Sequence, residues 1–138
     1  MGRRGLSHVL LDTHVWAWSL TDKKRLSTKA IDAIAAAQTI WISAISLYEI
    51  GQKVHLGKWP EMEPHFLNLM EIAEEQGASI LSVSPMACLA AADIRWSHRD
   101  PFDRIIAAAA IVERVPLISA DNAFDDFSSL DLWPGRVW

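Results

Sequence analysis

Apolar residues in this chain fall into short unbroken runs that alternate with longer stretches at helical spacing. "HVLLD", residues 8–12, is a continuous apolar run closed by an acid, the pattern of a strand buried on both faces. "TIWIS" (39–43) reads as the next strand, "SILSVS" (79–84) as another, "PLISAD" (116–121) as a fourth ending in Asp121, and "DLW" near residue 131 predicts a short last one. Between them, "STKAIDAIAAAQ" (27–38) predicts a helix capped by Ser27, and "AISLYEIGQKVHLG" (44–57) a helix stopped at Gly57. "KWPEMEP" (58–64) reads as a proline-broken loop, and "HFLNLMEIAEEQG" (65–77) as an amphipathic helix closed by Gly77. "PMACLAAADIRW" starts a further helix at Pro85, and "PFDRIIAAAAIVERV" another at Pro101. From Ile105 to Val112 that last helix has no polar residue, so it must be packed from several sides as a core helix.

Strands apolar on both faces, alternating with helices, imply a parallel sheet covered on both sides, an α/β fold. At 138 residues and 51% hydrophobic, the chain is expected to form a single domain over 1–138 with a real core. The arginine-bearing opening before Asp12 has too short an apolar run for a signal peptide or a membrane span, which points to a cytoplasmic protein. A lone cysteine, Cys88, rules out an internal disulfide and a zinc site of cysteines, and is expected as a small buried hydrophobe.

A net charge of -4 argues against coating nucleic acid by bulk charge, although local basic groups can serve a small site. Three such groups exist: Lys23, Lys24 and Arg25; Lys53, His55 and Lys58; and Arg95, His98, Arg99 and Arg104. The tryptophans at 16, 18 and 41 fit core packing, whereas Trp59, beside Pro60 in the expected loop, is the better contact residue.

In open parallel sheets the site lies outside the carboxyl ends of the strands, where helix N-termini also converge. Asp12 ends the first strand, Asp121 the fourth, Asp103 opens the core helix, and Glu49 lies early in the helix after "TIWIS". Each has a structural explanation: Asp12 can cap the next helix, Ser46 with Glu49 fits a capping box, Asp100 and Asp103 suit a first turn, and Asp121 can start a turn. All four at one sheet edge is a stronger statement. Carboxylates about 5 Å apart repel by roughly 3 kcal/mol per pair at an effective dielectric of about 20. Protonation or a hard divalent cation offsets this, and oxygen donors without a cysteine cluster select Mg²⁺ or Mn²⁺. Such a centre suits phosphodiester hydrolysis. The five histidines lack zinc-site spacing, so His98 is better placed as a surface or substrate contact.

"LLDTHVWAW", "SAISLYEIGQKVHLGKW", "HRDPFDRIIAAAA" and "PLISADNAF" together resemble the PIN-domain ribonucleases, specifically the toxins of VapBC toxin–antitoxin pairs, over residues 8–132. The resemblance implies a three-layer α/β/α PIN-like fold with a central parallel sheet of four to five strands. It implies an acidic Mg²⁺ or Mn²⁺ centre that cleaves RNA, with Asp12, Glu49, Asp103 and Asp121 as catalytic and metal-holding residues. Ser119 and Asp100 are candidate supports, and Arg99, Arg104 and His98 candidate contacts to phosphate or substrate. A homodimer and a small antitoxin partner are implied as well. The rival functions are an acid-pocket phosphotransfer or phosphatase domain and a non-catalytic binding module. Against the first, "DTHVW" lacks a second aspartate and "PLISAD" supplies no lysine at its strand end.

Overall fold

The computed structural model describes residues 8–138, so the arginine-bearing opening lies outside the described residues. Five parallel strands form one sheet in the order β3-β2-β1-β4-β5. They are β1 (His8–Leu11), β2 (Thr39–Ser43), β3 (Ala78–Leu81), β4 (Leu117–Ile118) and β5 (Arg136–Val137). The helices are α1 (Thr13–Thr21), α2 (Thr28–Ala36), α3 (Ala44–His55), α4 (Leu69–Glu75), α5 (Pro85–Asp93) and α6 (Pro101–Glu113).

The unbroken apolar runs are explained by two cores, one on each face of the sheet. Val9 and Leu11 of β1 join Val15, Trp16, Ile42 and Ile50 in one core, while Leu10 points the other way to Ile106, Leu117 and Phe124. Neighbouring β4 repeats the alternation, with Ile118 in the first core and Leu117 in the second. A strand with two dry faces has no position left for a polar side chain, hence its composition. The alanines at 107–110 of α6 are buried, as are Ala87 and Ala91 of α5, which packs on it. Small side chains on both helices allow that close approach. Among the described residues no helix is long and apolar enough to cross a membrane.

Three expectations are corrected. Residues 60–68 are a 3₁₀ helix rather than a loop running into an α-helix, because Pro60 opens it and Pro64 interrupts α-type bonding; the α-helical part starts only at Leu69. The last strand is Arg136–Val137 beside β4, whereas "DLW" lies in turns. Cys88 is exposed, since α5 is apolar all round and buries only Ala87 and Ala91, leaving Met86 and Leu89 in solvent as well.

Candidate functional site

The sheet order makes β1 and β4 neighbours, and a cleft of about 270 Å³ opens at their carboxyl ends. Asp12, Glu49, Asp100, Asp103 and Asp121 all line it, together with His14, Trp18 and Ala120. Four sequence-distant carboxylates expected at one edge therefore do meet, with Asp100 as a fifth.

Asp12 is the N-cap of α1: its Oδ1 accepts from the Thr13 N–H at 2.8 Å and its Oδ2 from the Ser119 hydroxyl at 2.7 Å. It is buried, and desolvation raises its pKa against the lowering effect of the Ser119 bond. Ser119 is itself buried, and its Oγ also accepts from the Asp121 N–H at 3.0 Å. One hydroxyl thus couples the end of β1 to the turn after β4. Asp121 is exposed and caps the 3₁₀ helix Asn122–Phe127.

Glu49 is 2% exposed; its Oε2 meets Lys53 Nζ at 2.6 Å, one helical turn away, while its Oε1 is buried with no partner among the described residues. The capping box expected of Ser46 and Glu49 is not formed. Ser43 caps α3 instead, and the Ser46 hydroxyl bonds Thr13 Oγ1 at 2.7 Å, tying α3 to α1.

Asp100 caps α6 through its Oδ1. Asp103, in the first turn of α6, turns its carboxylate to His98 Nε2 at 2.6 Å. Desolvation lifts the Asp103 pKa to about 7, opposed by the His98 bond and reinforced by the charges of Asp12, Asp100 and Glu49. The same bond raises the pKa of His98. Ligand atoms of His98, Asp103 and Asp121 lie within 4.8 Å of one another.

Arg104 is not among the residues that line the cleft. Its guanidinium donates to the carbonyl oxygens of Ala91, Ile94, Trp96 and His98, at 2.6–3.1 Å, fastening the segment between α5 and α6 and leaving little of the fork for a phosphate. Arg99 is exposed. A lysine cannot reproduce this planar set of donors. Arg104→Lys is therefore expected to lower stability by about 3 kcal/mol, read as a lower urea midpoint; a loss under about 0.5 kcal/mol would show that these bonds carry no weight.

Sequence reasoning missed His14, Trp18 and Lys53 at the site. The signal was helical spacing: His14 and Trp18 stand four apart directly after Asp12, and Lys53 stands four after Glu49. Trp59, expected to be a contact residue in a loop, packs against the first core and stacks on His14 with ring centroids 4.8 Å apart. Trp16 is fully buried as expected, while Trp18 and Trp41 are half-buried.

A buried carboxylate oxygen without a donor, near Asp12 and Asp103 whose pKa values burial raises, requires a cation or a proton for its balance. The cleft acids offer hard oxygen donors, with His98 Nε2 beside those of Asp103 and Asp121, a set that fits a divalent cation of the Mg²⁺ type.

The family profile described as PIN domain matches residues 9–130. Ribonuclease VapC22 of Mycobacterium tuberculosis is 30% identical over 118 residues, covering 85% of this chain and 89% of that protein. Among solved structures, VapBC2 from Rickettsia felis, bound to a DNA fragment from their promoter, superposes with a TM-score of 0.64 at 18% identity, covering 95% of this chain and 99% of that one. VapBC-5 from M. tuberculosis gives 0.63 at 18% identity over 91% and 94% of the two chains. A toxin–antitoxin complex from Klebsiella pneumoniae gives 0.58 at 20% identity over 90% and 93%.

Proposed function

The chain belongs to the PIN-domain family, and from that premise we propose that it is a metal-dependent endoribonuclease, the toxin of a toxin–antitoxin pair, with Asp12, Glu49, Asp103 and Asp121 as its working carboxylates. The observation that carries this assignment is the unpartnered, buried Glu49 Oε1 in a cleft lined by four further carboxylates. Mg²⁺ or Mn²⁺ held there supplies an activated water and offsets charge on the phosphate. The chain's own groups set the geometry. The Thr13 N–H and the Ser119 hydroxyl fix both oxygens of Asp12, His98 holds Asp103, and Lys53 neutralises one oxygen of Glu49 while leaving the other free.

Attack by water does not involve the ribose 2′-hydroxyl. Mapping RNA ends after brief expression of the wild type should therefore show new internal ends free of 2′,3′-cyclic phosphate. Cyclic ends, or no new ends, would overturn the assignment.

Burial pushes the Asp103 pKa up to about 7, so below that pH a cation competes with a proton for this carboxyl. The apparent Mg²⁺ affinity is thus expected to rise about tenfold per pH unit below that value and to level off above it. Calorimetry at pH 6, 7 and 8, in buffers of different ionisation enthalpy, reads both the affinity and the released proton. A pH-independent affinity without proton release would place the cation away from Asp103.

For partners, we infer a small antitoxin protein and a homodimer. The apolar groove of about 430 Å³ lined by Leu26, Ile31, Ile34 and Ile40 suits an apolar segment of such an antitoxin. Met86 and Leu89, 67% and 73% exposed on α5, suit a covered face between copies.

A further inference from the structure

Besides the acids, His14 and Trp18 line the cleft, and an aromatic cluster, or shelf, continues from them to Trp59 and Trp138. His14 is exposed and lies with its ring 4.8 Å from that of Trp59 in stacked orientation and 6.0 Å from that of Trp18. Trp18 in turn lies 6.0 Å from Trp138. Two cations sit on these rings: the Arg25 guanidinium is 4.3 Å from the Trp18 centroid, and Lys53 Nζ is 5.4 Å from that of Trp59. Lys53 is the same ammonium that holds Glu49, so shelf and acids share a residue.

We propose that this shelf is a subsite for unpaired nucleobases of the RNA strand whose phosphate enters the acidic cleft, with His14 and Trp18 as the stacking residues and Arg25 and Lys53 as the flanking cations. This rests on the ribonuclease assignment above and deepens it.

A core explanation covers Trp59 and Trp138, which pack against the first core, but not the exposed His14 ring or the exposed Arg25. An acidic cleft repels the polyanion it must hold, and a chain of net charge -4 has no bulk field to compensate. Beyond what a bound cation offsets at one phosphate, affinity must come from neutral contacts and local cations beside the acids. Aromatic faces with interleaved basic side chains supply both, because every base offers a π-face and cations meet the flanking phosphates. The direction is fixed by α1: Asp12 caps it, His14 and Trp18 stand on it, and Lys23, Lys24 and Arg25 follow its end, about 13 Å along the axis at 1.5 Å per residue. Base-paired RNA hides its faces in the stack, so the shelf selects loops and single strands.

The test uses the full chain carrying Asp103→Asn, which permits binding without cleavage, and a short single-stranded oligoribonucleotide with 2-aminopurine placed at each position in turn. Stacking should quench the probe at one or two adjacent positions only. Adding His14→Ala, which removes an exposed ring and leaves the core intact, should weaken binding about fivefold or more and restore the fluorescence. Trp18→Phe should keep the quenching, because a ring remains. A duplex of the same sequence should bind more weakly than the single strand.

Unchanged affinity and quenching in the folded His14→Ala chain, or equal binding of the duplex, would overturn the shelf. Cleavage by the chain that retains Asp103 separates the two failures. If it cuts RNA with a KM unaffected by His14→Ala, the shelf falls and the ribonuclease stands; if it cuts no RNA, the assignment beneath the shelf falls as well.

Discussion

Asp12→Asn is expected to reduce RNA cleavage at least about 100-fold while leaving the fold intact, and Asp103→Asn to do the same. Asparagine keeps a carbonyl for the Thr13 N–H, and the Ser119 hydroxyl can turn to accept from the new amide, so the cap of α1 survives. What is lost is the charge and one oxygen donor facing the cleft. A hundredfold in rate corresponds to about 2.7 kcal/mol of transition-state stabilisation, within the range of a removed electrostatic contact in a water-poor site. Single-turnover cleavage of one defined RNA, beside circular dichroism of each variant, measures it. A folded variant cutting at the wild-type rate would remove that residue from the centre.

Chelation by EDTA is expected to abolish cleavage altogether, and the same reagent exposes what the carboxylates do to the fold. Asp103 has its folded pKa raised to about 7 from the ordinary aspartate value of 3.8, so the proton-bound form is the one the fold favours. The associated stability is complete below about pH 4 and is lost as pH rises through about 7. At pH 8 without a cation, the wild type carries that loss and Asp103→Asn does not. Discounted for partial solvation, the difference is about 2 kcal/mol, so the variant should melt higher by roughly 5 °C. Saturating Mg²⁺ should reverse the order, giving the wild type about 2.7 kcal/mol at a hundred times the dissociation constant and the variant less. If Asp103 served only the dipole of α6, the variant would melt equal or lower in EDTA, and Mg²⁺ would move neither protein. Four melts therefore decide between a cation centre and a helix cap.

The strands and the acids were legible for the same reason: both depend on local pattern. Double-sided burial forces "HVLL" and "TIWIS" to be apolar throughout, and capping forces an acid or hydroxyl where each strand hands over to a helix. Asp12 and Asp121 are both caps and cleft residues, so the structural and functional explanations coincide there. What could not be read is set by distant packing. The 3₁₀ helix at 60–68 passes close to α3 where Gly51 stands under the Phe66 ring, 2.7 Å from where a Cβ would be. The edge strand β5 is two residues long and defined by its partner β4, beyond the reach of any periodicity. Cys88 was misjudged because a helix apolar all round gives no sign of which side faces solvent. Arg104 was equally opaque: an arginine beside an acidic motif suggests phosphate, and only the path of residues 91–98 reveals the carbonyls it holds.

The hydrogen bond between Ser119 and Asp12 spans 107 positions of the chain, and it sets when the cleft can be completed during biosynthesis. At elongation rates of about 5–20 residues per second, roughly 5–20 s separate the emergence of Asp12 from that of Ser119. Throughout that interval β1 lacks its β4 neighbour, and Asp12 has neither the hydroxyl that orients it nor the turn bearing Asp121. A nascent chain that has already displayed Asp12, Glu49 and Asp103 is still without an assembled centre. The cleft is thus completed only once Ser119 and the turn bearing Asp121 have been made.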